Sequence, residues 1–208
     1  MPAPQLTWHA EPDQPEGVVL VLHGGKSRSR SATSPWQPAV WWMRPFADAV
    51  AEAGEGKVAV ARLRYAVRGW NGADASPLAD AHNALEQLAA GHPGVPIGLL
   101  GHSMGGRVAL HLADDERVRA VAALAPWVER PDIAHTHPGL HALVMHGTAD
   151  RVTSAKASRL MADAMAAQGA DVTYESVAGA THSMLRPYRR WREEPADFLV
   201  HWLTSDGD

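Results

Sequence analysis

The residues whose types and spacing could do chemistry centre on "LLGHSMGG", residues 99–106, where Gly101, Ser103 and Gly105 form G-x-S-x-G between an apolar strand pattern and a helix pattern. That context suits a nucleophile elbow, a sharp strand-to-helix turn that lifts a serine hydroxyl clear of a sheet and needs small neighbours two residues away. The same turn sets Ser103 at a helix N-terminus, where the local field favours developing negative charge. A serine is a weak nucleophile until a base takes its proton, and the base needs an acid to orient it. Asp150, in "MHGTADRV", and His182, in "GATHSM", supply those two types, each after a strand pattern. All three therefore fall at C-terminal strand ends, the edge where a parallel sheet presents its functional loops. Singly, they read as a Gly/Ser helix cap, a loop aspartate and a surface histidine. Jointly, in this order and in register with the strands, they read as nucleophile, orienting acid and base.

The elements that must position them alternate along the chain. Strand patterns run over residues 18–24 ("VVLVLHG"), 57–65 ("KVAVARLRY"), 96–103, 117–127, 140–150 and 171–179, and "PQLTWHA" (4–10) suits an added edge strand. Between them lie helical patterns: one over 39–54 that stops at Gly54 and either runs through Pro45 or begins there, one over 76–91, and one from Met104 onward. A further alanine-rich pattern ends near Gly169, and a last one runs from about Pro187 to Leu203. For the 76–91 helix, Ser76 is the expected N-cap with Pro77 in the first turn. Regular alternation of this kind implies βαβ units and a mostly parallel sheet covered on both faces. The chain of 208 residues suits a single domain over 1–208, and residues 128–139 are too few for a cap domain.

With "LHGG", "GHSMGG", "HGTAD" and "GATHSM" in place, the chain resembles a small, cap-less member of the α/β-hydrolase superfamily, of the bacterial esterase and dienelactone-hydrolase-like kind. The similarity spans nearly the whole chain, and the order Ser103, Asp150, His182 is that superfamily's order. The resemblance implies an α/β-hydrolase fold, with Ser103 as nucleophile, His182 as base and then acid, and Asp150 orienting His182. It also implies an oxyanion hole made by the amide of Met104 and a loop amide after the "HG" strand, here Gly25. "HGGK" is shorter than the glycine run of the HGGG esterases, which leaves Gly24, Gly25 and Lys26 as alternatives for that second donor. No cofactor is implied.

Other features take plainer readings. Gly25-Lys26-Ser27 resembles the end of a phosphate-binding P-loop, but the position that needs the first glycine is Leu20, inside an apolar run. Histidines 135, 137 and 141 cluster in "HTHPGLH", without the carboxylates or cysteines that ligand spacing would need, so no metal site is expected. Trp36, Trp42, Trp70 and Trp127 follow strand ends and are expected to line an aromatic substrate pocket with Arg64, the plainer reading of each tryptophan being a cap on the core beneath the loops. Trp191 and Trp202, on the last helix, read as core, and His102 as packing around the elbow. Lys26, Arg28, Arg30, Arg44 and Arg68 form a basic rim, and residues 26–42 and 128–139 are expected to govern access.

A formal charge of −4 argues against dedicated nucleic-acid or anionic-membrane binding, and the absence of cysteine excludes disulfides and thiolate chemistry. The first residues carry no basic and apolar leader pattern, so a cytoplasmic location is expected. The function these readings support is a serine hydrolase cleaving a small-molecule carboxylic ester or thioester through an acyl-enzyme on Ser103. The alternatives are an acyltransferase or thioesterase in a biosynthetic pathway, or a triad-retaining ligand-binding protein with little turnover. The oligomeric state is not readable from the sequence.

Overall fold

The structure is a computed structural model, and it describes residues 2–129 and 132–205. Seven strands form one sheet: β1 (Gln5–Ala10), β2 (Gly17–Leu22), β3 (Val58–Arg64), β4 (Ile97–His102), β5 (Val118–Leu124), β6 (His141–Gly147) and β7 (Asp171–Val177). Their order across the sheet is β1-β3-β2-β4-β5-β6-β7; β1 pairs antiparallel on the edge and every other pair is parallel. This is the α/β-hydrolase arrangement expected. Every residue of β2 is buried, and the continuous apolar run "GVVLVL" is what a strand covered on both faces requires.

Among the described residues six α-helices complete the layers: α1 (Pro38–Trp42), α2 (Arg44–Ala53), α3 (Ser76–Gly91), α4 (Met104–His111), α5 (Ala155–Ala167) and α6 (Tyr188–Thr204). One core packs α3, α4 and α5 on one face, with Leu85, Leu88, Val108 and Met165 against Leu20, Leu99 and Val121. The other packs α2 and α6, with Phe46, Val50, Trp191 and Leu199 against Val19, Val60 and Leu100. Strand β3 shows how two faces are written into one run: Ala59, Ala61 and Leu63 enter the first core, and Val58 and Val60 the second. Among the described residues no helix or strand stands between β5 and β6, so there is no cap over the sheet. Nor, among them, is any helix long and apolar enough to cross a membrane.

Local differences from the sequence reading have clear causes. Ser76 is not the N-cap of α3; the cap is Ala75, in the left-handed region at φ 40°, and Ser76 opens the helix. The Asn71 side chain draws Ser76 in by donating to its hydroxyl at 3.1 Å. Two helices, not one, occupy the tryptophan-rich segment after Gln37: α1 ends at Trp42 and α2 starts at Arg44 with Pro45 in its first turn. A proline there gives up no intrahelical hydrogen bond. Trp191 is fully buried, and Trp202 is partly buried and stacked on His141.

Candidate active site

The turn from β4 into α4 holds Ser103 at φ 55°, ψ −115°, a conformation that costs a non-glycine residue on the order of 1–3 kcal/mol. The surrounding chain enforces it. A Cβ on Gly101 would meet the Gly105 carbonyl oxygen at 2.2 Å, and one on Gly105 would meet the Leu22 oxygen at 2.2 Å. Backbone atoms cannot yield as a side-chain tip can, so both positions require glycine. The serine is thereby pinned between β2 and the first turn of α4.

The hydroxyl of Ser103 donates to Nε2 of His182 at 3.0 Å, and Nδ1 of His182 donates to Oδ2 of Asp150 at 2.8 Å. The sequence places these residues 79 and 32 apart along the chain, and the sheet's C-terminal edge brings them together. The Asp150 side chain is fully buried. Its Oδ1 accepts from the amides of Val152 (2.7 Å) and Thr153 (3.0 Å), and its Oδ2 also accepts from the Thr153 hydroxyl at 2.9 Å. Burial alone would push this carboxyl up. The donors from Thr153, His182 and Val152 outweigh it and hold the pKa at about 2, so the group is an anion at neutral pH.

Two histidines beside this chain of contacts were not read as part of it. His146, four residues before Asp150 and fully buried, sets Nε2 3.2 Å from Asp150 Oδ2, while its Nδ1 lies 2.9 Å from the Ser158 hydroxyl. Burial lowers its pKa, and with Ser158 donating to Nδ1 the neutral ring has its remaining N–H toward Asp150. The signal was present in "HGTAD": a polar residue at a buried strand end, a tight turn upstream of the aspartate. His102 lies on the other side, its Nε2 donating to the His182 backbone carbonyl at 3.0 Å. Burial and then the nearby His182 ring lower its pKa to about 3, so it holds the 181–183 loop as a neutral ring.

The loop after β2 meets the elbow closely. A Cβ on Gly24 would lie 3.5 Å from Ser103 Cβ, and one on Gly25 would collide with the Met104 side chain at 2.3 Å. Of the alternatives for a second oxyanion donor, the Lys26 amide is already spent on the Arg68 carbonyl at 2.8 Å. Met104 is the first residue of α4, where an amide has no intrahelical acceptor. Buried His23 steadies this loop: Nδ1 donates to the Gly24 carbonyl at 2.6 Å and Nε2 accepts from the Tyr65 amide at 3.3 Å. Burial lowers its pKa to about 4, in keeping with a neutral ring that donates on one side and accepts on the other.

Ser103 and His182 open into a cavity of about 800 Å³, within the range of small-molecule sites. Its walls include Pro38, Ala39, Trp42, Val152, Arg151 and Thr181. Only Trp42 of the five expected pocket residues lines it. Trp36 is 78% exposed and stacks against Trp41. Arg64 turns to the other face of the segment, donating to the Thr33 carbonyl and to Gln5. Trp70 and Trp127 stack on the buried guanidinium of Arg107, at 4.0 and 4.7 Å, and enter the core under α4. The cause is common to all four: following a strand end fixes where a backbone is, not which way a long side chain turns. Access is likewise framed by 149–152 and 181–183 with α1; of the expected 128–139 segment, the described residues 128–129 and 132–139 contribute no cavity wall, and 130 and 131 lie outside the described residues.

The basic rim also disperses. Arg30 pairs with Asp74, and Arg68 donates to the Ala32 carbonyl. The three clustered histidines take separate partners: Asp114 for His135, the Val118 carbonyl for His137 and Asp171 for His141.

A family model described as "Alpha/beta hydrolase family" matches residues 18–208. No protein with a curated description matches the chain. Among solved structures, a serine hydrolase without lid from Xanthomonas campestris is 20% identical with a TM-score of 0.68, covering 98% of this chain and 90% of its own. A thermophilic esterase from the planctomycete Thermogutta terrifontis is 19% identical with a TM-score of 0.71, covering 98% and 92%. A serine hydrolase homologue from Coxiella burnetii is 16% identical with a TM-score of 0.67, covering 93% and 89%. At such identities the likeness is one of fold.

Proposed function

The chain belongs to the alpha/beta hydrolase family, and on that premise we propose that it is a serine hydrolase acting on a carboxylic ester or thioester with an apolar acyl group. The observation that carries this reading is the continuous contact from Ser103 through His182 to the buried, ionised Asp150, with its serine end open to a cavity walled by Pro38, Ala39, Trp42 and Val152. In the first step Ser103 Oγ bonds to the acyl carbon while its proton passes to His182 Nε2. The carbonyl electrons move onto oxygen, beside the amides of Met104 and Gly25. Two fixed donors aimed at that oxyanion typically supply the largest share of such a rate enhancement. Collapse breaks the bond to the alcohol or thiol, which leaves with the proton from Nε2. Water then yields a proton to Nε2 and attacks the acyl carbon, and Ser103 departs with its proton restored.

Asp150 does not take the proton in this scheme. It fixes His182 with Nδ1–H inward and Nε2 toward the serine, and its charge stabilises the imidazolium that forms. The walls favour hydrocarbon or aromatic acyl groups by burial, at about 25 cal/mol per Å² covered. A fluorophosphonate probe should label Ser103, and p-nitrophenyl ester hydrolysis should fall by roughly 10⁴-fold or more in Ser103→Ala with folding unchanged. A wild-type protein that neither labels nor turns over any ester or thioester in a panel would sink this reading.

A further inference from the structure

A second cavity, of about 140 Å³, lies across α1 from the first. Pro38, Ala39 and Trp42 face the catalytic cavity, whereas Val40 and the adjoining Met43 and Arg44 face this one. Its polar lining is Gln5, Thr7, His23, Arg44, Arg62 and Arg64. The arginines are there because β3 alternates: Ala61 and Leu63 point into the first core, so Arg62 and Arg64 must point the other way, past the end of the α2 layer.

Three arginines lining one void are unfavourable unless something offsets their charge, and the Arg44 guanidinium has one offset, the Trp41 ring at 4.1 Å. The terminal nitrogens of Arg64 are used on Thr33 and Gln5, but its Nε is buried without a partner, and so is the Nε of Arg62. Arg44 is the first residue of α2, where the positive end of the helix disfavours a cation. The Asp48 carboxylate bears on Arg62, and the His9 ring already contacts it at 2.8 Å. Burial and then the Arg44 charge lower the Arg62 pKa, with Asp48 offsetting only part. The charge is under-compensated, and donors remain.

We propose that this cavity binds a small oxyanion, such as phosphate or a short carboxylate, held by Arg62 and Arg64 from β3 and by Arg44 from the start of α2. Guanidinium forks match the paired oxygens of such groups and lose little by desolvation. The volume is below the roughly 300 Å³ at which drug-sized ligands begin to fit, which excludes a nucleotide-sized guest. The site does not depend on the catalytic reading, since α1 separates it from Ser103.

The test is isothermal titration with inorganic phosphate and, separately, acetate, in chloride buffer of matched ionic strength. Wild type should show saturable binding of at least one anion with Kd below about 1 mM. Arg44→Ala and Arg62→Met should each weaken it at least tenfold, while Arg151→Ala, at the mouth of the catalytic cavity, should not change it. Because Arg44 is exposed, its variant tests the site even if the Arg62 variant melts early in a circular-dichroism control. The proposal is overturned if neither anion binds wild type, or if Arg44→Ala leaves binding intact. Loss of binding in Arg151→Ala would overturn it too, assigning the anion to the catalytic cavity.

Discussion

Two buried carboxylates of this protein lie in the segments that follow neighbouring strands, Asp132 after β5 and Asp150 after β6, and they have opposite characters. Asp150 gathers His182, Thr153 and His146, and the His182 ring reaches past it to Ser103 and a cavity. Asp132 gathers Arg107 at 2.6 Å and His111 at 3.1 Å, and the guanidinium is closed off by Trp70 and Trp127. Both side chains are 5% exposed or less. Burial and hydrogen bonding therefore do not separate them. What does is where the partner leads: the His182 imidazole carries the contact on to the Ser103 hydroxyl, whereas Asp132 is shared between His111 and a guanidinium, which cannot give and take a proton near neutral pH. In the function proposed above the first cluster moves a proton, and the second holds residues 129 and 132 onto α4.

The contrast breaks most sharply under isosteric substitution. Asp150→Asn should leave folding nearly intact and lower kcat by about 10⁴, because an amide can present its N–H to His182 and stabilise the wrong tautomer. Asp132→Asn should do the reverse: kcat of the folded fraction unchanged, stability lowered by about 3 kcal/mol as Arg107 is left with Glu129 at 3.1 Å. Urea denaturation and p-nitrophenyl ester kinetics on both variants read the two effects. Equal kinetic losses in the two would erase the distinction.

His146 sharpens the comparison on the catalytic side alone. Its Nε2 lies 3.2 Å from Asp150 Oδ2 and 3.3 Å from the Thr153 hydroxyl, and Asp150 keeps four other donors. His146→Gln should accordingly lower kcat about tenfold and move the acid limb of the pH–rate profile, while KM for a short ester stays within a factor of two. A purely structural role would lower stability and leave that profile in place.

Much of this was legible in the residues. The apolar runs placed β2 to β6, because a strand buried on both faces has almost no other way to be written; the parallel edge strand β7, "DVTYESV", is not such a run. Gly101, Ser103 and Gly105 located the elbow because backbone collisions at 2.2 Å leave glycine no substitute. Asp150 and His182 were legible from their places at strand ends. Direction was not. Trp70 and Trp127 follow strand ends as Trp42's segment does, yet a cation four residues past Ser103 draws them under α4. Arg64 looked like a pocket residue until β3's alternation is followed through Leu63, which sends it to the face of Val60. His146 escaped notice because nothing in a lone histidine says whether its ring meets a carboxylate or a hydrophobic core.

The smallest effect is one of pH, and it divides the same two regions. His23 titrates near 6.5 when unfolded but at about 4 in the fold, because burial disfavours the cation. Between those values the unfolded chain binds one more proton, so stability falls as pH falls, by at most about 1.4 kcal/mol per pH unit. His102, lowered to about 3, extends the same slope further into acid. Both rings brace the loops around Ser103. Asp132 has the same sign in a lower window: its lowered pKa keeps its contribution present above the ordinary carboxylate value, to be lost only as pH drops below it. The catalytic edge should thus loosen first between about pH 6.5 and 4, while the Arg107 cluster persists. Chemical denaturation across that range should show a shallower slope in His23→Gln than in wild type, and amide exchange at pH 5 should rise in the 23–25 and 181–183 loops before it rises in α4. An unchanged slope in the variant would mean that His23 is not held neutral, and the contrast between the two regions would lose its electrostatic basis.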